Sequence, residues 1–383
     1  MKKIYDIFII GGGINGAGIA RDASGRGLKV ALADKGKVGH ATSSWSTKLI
    51  HGGLRYLENY EFKLVRESLK ERTILNNIAS NITTPIPFLI PHFNEMRSSW
   101  LIKLGLLLYD LLAGRSSIPK SSSVDISIEY PNILKSKFNK GFKYYDIQVD
   151  DLKLVKLNIN DAKKRGAKIF ENKKVIKVTR NRNFWTIVLS NNIKIEAKIL
   201  INASGPWIDE IVKNIIKIKS NISTRLVKGS HIIVKKIYDH NIALTLQNID
   251  RRIIFIIPYK KKFSLIGTTE VKVSSPKNPK INKKEIEYLI KGVNKFLKRQ
   301  INRKDIVETY SGIRPLIEDH KNNLRKVTRD YVLDLNLENK SAPLLNIYGG
   351  KLTTYRKLSE KAVEKLKPFF PEIKTHWTHK KKL

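Results

Sequence analysis

Residues 4–34 constrain this chain more than any other stretch. An apolar, β-branched run over 4–10 leads directly into Gly11-Gly12-Gly13-Ile14-Asn15-Gly16, and residues 17–26 read as a helix. A second short strand, 29–33, ends on Asp34. This is the pattern of a βαβ unit in which G-x-G-x-x-G (Gly11, Gly13, Gly16) opens the helix and an acid follows about 20 positions later. Gly11 permits the tight turn, Gly13 lets the backbone approach a pyrophosphate, and Gly16 lets helix and strand pack. The N–H groups of the first turn, at Ile14 and Asn15, attract the phosphate. Asp34, at the tip of the second strand, is placed to accept from a ribose hydroxyl. A glycine triplet alone also fits a turn in some other α/β protein. Strand, helix and acid together point to a dinucleotide site.

The chain has 383 residues, enough for a large core and two joined domains, with an ordinary 41% hydrophobic content. It has no cysteine, which excludes disulfides, Cys-ligated metals and cysteine nucleophiles. The first apolar run is the strand itself, so no signal peptide is expected and the site is expected to face the cytoplasm. A net charge of +39 raises nucleic acid or an anionic membrane surface as partners. Lysines are dispersed, however, apart from 260–262 and 380–382, and Ile and Asn are also abundant, as in an AT-biased coding sequence. A diffusely solvated surface is the favoured reading and attraction to an anionic membrane the next. Specific nucleic-acid binding is not expected, because no basic groove with interleaved aromatics is visible.

Residues 41–56 (ATSSWSTKLIHGGLRY) make a poor strand and a poor helix. Small hydroxyl residues and a Gly-Gly step suit a segment lying against a ligand. Here a wider pattern becomes specific. The strings GGGINGAGIARDASGRGL, ATSSWSTKLIHGGLRYLENYEFKLVRESLKER, YSGIRPL and GGKLTTYRKL resemble the FAD-dependent glycerol-3-phosphate dehydrogenases of the D-amino-acid-oxidase-like flavoprotein superfamily. The likeness runs from residue 4 to about residue 378. It departs from the family in two places. Asp34 stands where the family usually has Glu, and the chain stops near Trp377 where longer members continue into a C-terminal helical domain.

The resemblance implies an α/β fold. A Rossmann-type FAD-binding domain is assembled from 1–80, 146–210 and 336–370, and an antiparallel-sheet substrate domain from 211–335. Residues 81–145 form a substrate- or membrane-facing segment and 371–383 a basic tail. Beyond the first βαβ unit, FAD contacts are implied for Thr42, Ser43, Ser44, Lys48, Leu49, Gly52, Gly53, Gly205, Gly350, Leu352 and Thr353. Runs 85–91 (PIPFLIP) and 100–112 (WLIKLGLLLYDLL) are the most apolar surface candidates. The second has 13 residues, too few to span a bilayer. It reads either as a buried helix or as a peripheral membrane foot, and the family's membrane attachment favours the foot. Asp146, Asp150 and Asp151 are expected to cap a helix beginning near 152, not to bind metal.

In such a flavoenzyme the protein supplies placement and electrostatics for hydride transfer to flavin N5. A phosphorylated substrate calls for converging cations, preferably forked guanidiniums. Arg55, Arg314, Arg329 and Lys351 meet that need, and by resemblance Tyr56, Thr268 and Thr269 also line the pocket. His51 and His231 are alternative proton acceptors or holders of backbone carbonyls, and stabilisation of a developing alkoxide by Arg314 and Lys351 is the alternative. A helix starting near Thr353 would direct its dipole at the reduced flavin. The implied reaction is oxidation of sn-glycerol 3-phosphate to dihydroxyacetone phosphate, with electrons passing to membrane quinone at the inner face of the cell membrane. An oxygen-using glycerol-3-phosphate oxidase is the nearest alternative, and an FAD-containing tRNA-modifying protein a distant one. Homodimer formation is left open.

Overall fold

The computed structural model describes residues 4–93, 98–248, 250, 252–319, 330–338 and 341–383. Its longer helices are α1 (Ile14–Gly25), α2 (Phe62–Ile78), α3 (Ser99–Ala113), α4 (Asp151–Lys164), α5 (Lys283–Asn294) and α6 (Tyr355–Glu364). The strand Ile4–Ile10 lies at the middle of the first sheet, between Lys194–Asn202 and Val30–Ala33, parallel to both. Leu344–Gly349 and Lys168–Phe170 extend the parallel set on either side. Ile7, Phe8 and Ile9 are fully buried, which accounts for the unbroken apolar run: a central parallel strand is covered on both faces.

Helix α1 lies on this sheet through its small residues Ala17, Ala20 and Ala23. At Gly16 the approach is closest. A Cβ there would fall 1.9 Å from the Gly11 carbonyl oxygen, so a side chain would lift the helix off the strand end. At the other end of α1, a Cβ on Gly25 would fall 2.0 Å from the indole of Trp377. That ring lies over the guanidinium groups of Arg21 and Arg165, 4.9 and 4.0 Å from its centroid, and its Nε1 donates to the Asp22 carbonyl at 3.2 Å. Residues 371–383, expected as a basic tail, are thus docked: Arg21 also donates to the Lys381 carbonyl, and the Leu383 amide to Ile78.

The second sheet is largely antiparallel and is built around a long ladder between Ile222–Lys235 and Ile306–Asp319. Its core joins Ile232, Leu244, Ile254 and Ile266 to Leu289 and Val293 of α5. That helix starts with a capping box between Asn282 and Glu285.

Two expectations are corrected. The run 85–91 is not a surface segment: it belongs to the internal strand Thr83–His92, where Ile86, Phe88, Leu89 and Ile90 are buried between neighbouring strands. Of the three aspartates, only Asp150 caps α4 with its side chain, accepting from the Lys153 amide at 2.9 Å. Asp146 is a buried partner of Arg72 and Tyr109, whereas Asp151, in the first turn, accepts from the Leu152 amide at 2.9 Å and also turns back to Ser46 and Lys48, because cations buried nearby require counterions. The two readings of 100–112 each fit one face of α3, which is neither wholly buried nor wholly exposed. Ile102, Leu106 and Tyr109 face the core, whereas Trp100, Leu101, Leu104, Leu107 and Leu111 face outward.

The tail dock gives a direct test. Gly25→Leu fills the slot that Trp377 occupies, and overpacking of this kind typically costs about 1–3 kcal/mol. The expected result is a lower midpoint in denaturant and a red-shifted Trp emission as the indole leaves its pocket. An unchanged midpoint would show that the tail docks without this contact.

Candidate active site

A cavity of about 490 Å³ opens where the parallel strands of the first sheet end and the second sheet meets them. This is the crevice at the carboxyl ends of strands where α/β folds bind ligands. Gly11, Gly13, Ile14 and Asn15 line one part of it, together with Asp34 and Gly205. The Asp34 carboxylate accepts from the amides of Gly12 at 2.6 Å and Gly36 at 2.8 Å, which holds the glycine turn in place. A carboxylate offers about four lone-pair sites, so two amides leave capacity for a ribose hydroxyl. Ser43 accepts from the Ile14 amide at 2.9 Å and so stands in front of the α1 N-terminus. Asn15 donates to the Gly349 carbonyl at 3.1 Å, and its buried Oδ1 meets no hydrogen-bond partner among the described residues. A Cβ added to Gly13 would approach only Ser43 Oγ, at 3.1 Å. The backbone there faces open space bordered by amides, which suits the pyrophosphate of a dinucleotide.

The rest of the cavity is chemically different. His51, Tyr56, Thr268, Arg314 and Lys351 converge on it from four segments of the chain. Arg314 Nη2 donates to Thr268 Oγ1 at 3.0 Å, and Lys351 Nζ lies 4.1 Å from the centre of the Tyr56 ring. Thr353 Oγ1 accepts from the His51 amide at 3.2 Å and donates to its carbonyl at 3.3 Å, which fastens the 51–56 turn to the 349–354 turn. Thr42, Leu49, Gly350, Leu352 and Thr353 also line the cavity, with Thr42 tied to the Ile313 carbonyl at 2.9 Å. The expected helix start near Thr353 falls at Tyr355, one short turn later.

Several expected contacts are not on the wall. Gly16 is used in packing. Ser44 is buried, and Lys48 reaches back to the Ser44 carbonyl at 3.0 Å and Asp151 at 2.8 Å. Gly52 and Gly53 lie behind the lining, and Arg55 is half-buried without being a lining residue. Thr269 is buried and donates to Glu285 at 2.7 Å. His231 is also buried behind the wall, stacked on Tyr310 with ring centres 4.7 Å apart, with Nε2 3.1 Å from Thr47 Oγ1. Burial, with the positive charges of Arg314 and Lys48, pushes its pKa well below the ordinary imidazole range and keeps the ring neutral. Arg329 lies outside the described residues.

Other lining residues carried no sequence signal strong enough to select them. Trp45 and Thr47 sit within the hydroxyl-rich segment, and Trp207 follows Gly205 and lies 3.4 Å from Lys35 Nζ. Phe255 and Glu270 come from the second sheet and its loop, with no motif around them.

Known proteins place the cavity in context. The model of the FAD dependent oxidoreductase (DAO) family matches residues 6–356. A D-erythritol 1-phosphate dehydrogenase of Brucella abortus is 45% identical over 98% of this chain and 76% of its own length. An aerobic glycerol-3-phosphate dehydrogenase of Escherichia coli is 44% identical over 97% of this chain and 75% of its own. The structure of the glycerol-3-phosphate dehydrogenase of Bacillus halodurans complexed with FAD superposes with a TM-score of 0.76, at 26% identity, covering 98% of this chain and 67% of that one. A dinucleotide cradle that opens directly onto a cationic pocket, carried on a chain matched almost from end to end, makes this protein a member of the FAD dependent oxidoreductase family.

Proposed function

We propose that the chain oxidises sn-glycerol 3-phosphate at its secondary alcohol to dihydroxyacetone phosphate and passes the electrons to membrane quinone. One observation carries the reading: the space beside the Gly11–Gly16 cradle continues into a pocket where Arg314 and Lys351 meet His51 and Thr268. Bound FAD supplies the hydride acceptor. The chain's own residues do the rest. Arg314 and Lys351 hold substrate oxygens and favour negative charge as it develops on the alcohol oxygen. His51, the histidine that lines the cavity among the described residues, takes the hydroxyl proton. Neutral His231 holds Thr47 from behind and takes no proton.

The Brucella relative favours a second reading, a four-carbon polyol phosphate. Both substrates present a phosphate and neighbouring hydroxyls to the same cations. Anaerobic bleaching of the flavin spectrum by each compound, with kcat/KM for both, decides between them. Failure of both to bleach the flavin would reject the phosphorylated-polyol reading altogether.

Attachment to the inner face of the cell membrane is part of the same proposal. No helix among the described residues is long and apolar enough to cross a membrane. The outward face of α3 instead presents Trp100, Leu104, Leu107 and Leu111, each more than half exposed, on a strongly basic chain. Such a face suits insertion at the headgroup boundary.

Three outcomes are expected. Gly13→Val places a branched side chain in the cavity and meets little else, so the protein should fold and purify without yellow flavin. Full FAD occupancy would reject the cradle. Arg314→Lys keeps the charge but loses the fork, and losing a charge-assisted hydrogen bond costs roughly 1.5–3 kcal/mol. That corresponds to about 10- to 150-fold in kcat/KM, with flavin content unchanged. A rise in KM alone would make Arg314 a ground-state clamp, and a fall in kcat would place it on the developing alkoxide. Replacing Leu107 and Leu111 by Glu, and sparing buried Leu106, should move the protein from sedimenting vesicles to the supernatant. Oxidation with a soluble dye should persist, and continued sedimentation would remove α3 from the membrane contact.

A further inference from the structure

We propose that Tyr109, on the buried face of α3, is a positioning residue for the oxidation: its phenol fixes the turn that carries His51 and Tyr56 to the cavity. This rests on the substrate reading given above. The Gly52 amide donates to Tyr109 Oη at 2.9 Å. Tyr109 in turn donates to Asp146, with Oδ1 at 2.8 Å and Oδ2 at 3.1 Å, and Arg72 Nη1 pairs with the same Oδ1 at 2.8 Å. Tyr109, Asp146 and Arg72 are each at most 3% exposed, so water does not replace these bonds.

The relay has one direction. Burial pushes the phenol well above its ordinary pKa, so the hydroxyl keeps its proton and donates a hydrogen bond to the carboxylate. Its oxygen is left to accept, and the Gly52 N–H is the donor aimed at it. Gly52 also has no room to shift. A Cβ there would fall 2.4 Å from Leu69 Cδ2 and 2.7 Å from Tyr109 Oη, so the backbone lies flush against both. On the cavity side, Thr353 grips the amide and carbonyl of His51. Consecutive residues are therefore held from opposite sides, His51 by Thr353 and Gly52 by Tyr109, with the Asp146 carboxylate also facing the Gly52 amide. A phenol that merely needed a buried partner would resemble Tyr144, which shares a bond of 3.0 Å with Thr245 Oγ1 and has no hydrogen bond to the turn. Tyr109 differs because it accepts from the backbone next to a lining residue.

Tyr144→Phe is accordingly a matched control for Tyr109→Phe: both delete a buried hydroxyl from the same core cluster. Both holoenzymes are assayed with sn-glycerol 3-phosphate and a soluble dye. Wild-type bleaching by the substrate tests the substrate reading separately. Tyr109→Phe is expected to keep its FAD and to lose about tenfold in kcat/KM, the scale of one lost hydrogen bond. Its pH profile should also shift on the limb set by the cavity base. Tyr144→Phe should lose stability to a similar degree with kinetics within about twofold of wild type. Equal kinetics for the two variants would overturn the proposal. Should Tyr109→Phe not fold, amide exchange in the wild-type holoenzyme reads the same bond: core-like protection at Gly52 supports it, and loop-like exchange overturns it.

Discussion

The contact between Gly16 and the Gly11 carbonyl sets the position of everything that follows. A helix can approach the end of a parallel strand this closely only where neither has a side chain in the way. Because α1 sits down at that point, its first turn faces the same opening as the ends of Ile4–Ile10, Val30–Ala33, Lys194–Asn202 and Leu344–Gly349. Asp34 then bridges the glycine turn to the second strand end, and Asn15 bridges it to the turn at Gly349. The first closes the βαβ unit over 22 residues and the second joins segments 334 residues apart, so the chain's own bonds hold the cradle in place. Preorganisation of this kind is what lets a fixed set of dipoles act on a developing charge.

The large positive charge has a structural counterpart. Among the described residues, the buried acids are Asp22, Glu71, Asp146, Asp151, Glu285 and Glu360. Every one of them meets a Lys or Arg: Arg26, Arg356, Arg72, Lys48, Lys228, and Arg356 again. The chain sends only a few of its cations into the core. It covers the few that enter with carboxylates, because an unpaired buried charge is far more costly than a paired one. The excess is left on the solvated surface, in agreement with the dispersal of lysines along the sequence. The same rule explains why Asp146 faces Arg72 and why Asp151, in the first turn of α4, shares its carboxylate between the Leu152 amide and Lys48.

Two pairs sit next to the chemistry. Asp151 holds Lys48 and Ser46 and so steadies the 41–48 segment, most of which lines the cavity. Asp146 holds Arg72 and Tyr109 behind the next turn. Lys48 and Gly52 thus belong to motifs that look like ligand contacts, yet their side-chain or backbone groups face the other way. Motif strings record that a segment must pass close to a ligand. They do not record which side chains turn toward it.

That distinction separates what the sequence determined from what the tertiary structure decided. Local rules were sufficient for the βαβ unit, because turn geometry, strand patterning and helix-start signals act over a few residues. They also pointed to Gly13 and Asp34, as the family resemblance did to Thr42, Arg314 and Lys351, and all five line the cavity. The sequence left undecided whether 100–112 is buried or exposed, since an apolar helix looks the same until its neighbours cover one side. It assigned 85–91 to the surface, because Pro and apolar residues do not reveal how many strands flank them. It also treated His51 and His231 alike. Only the packing of two distant sheets placed one imidazole on the cavity and desolvated the other behind it, and no local pattern carries information about desolvation.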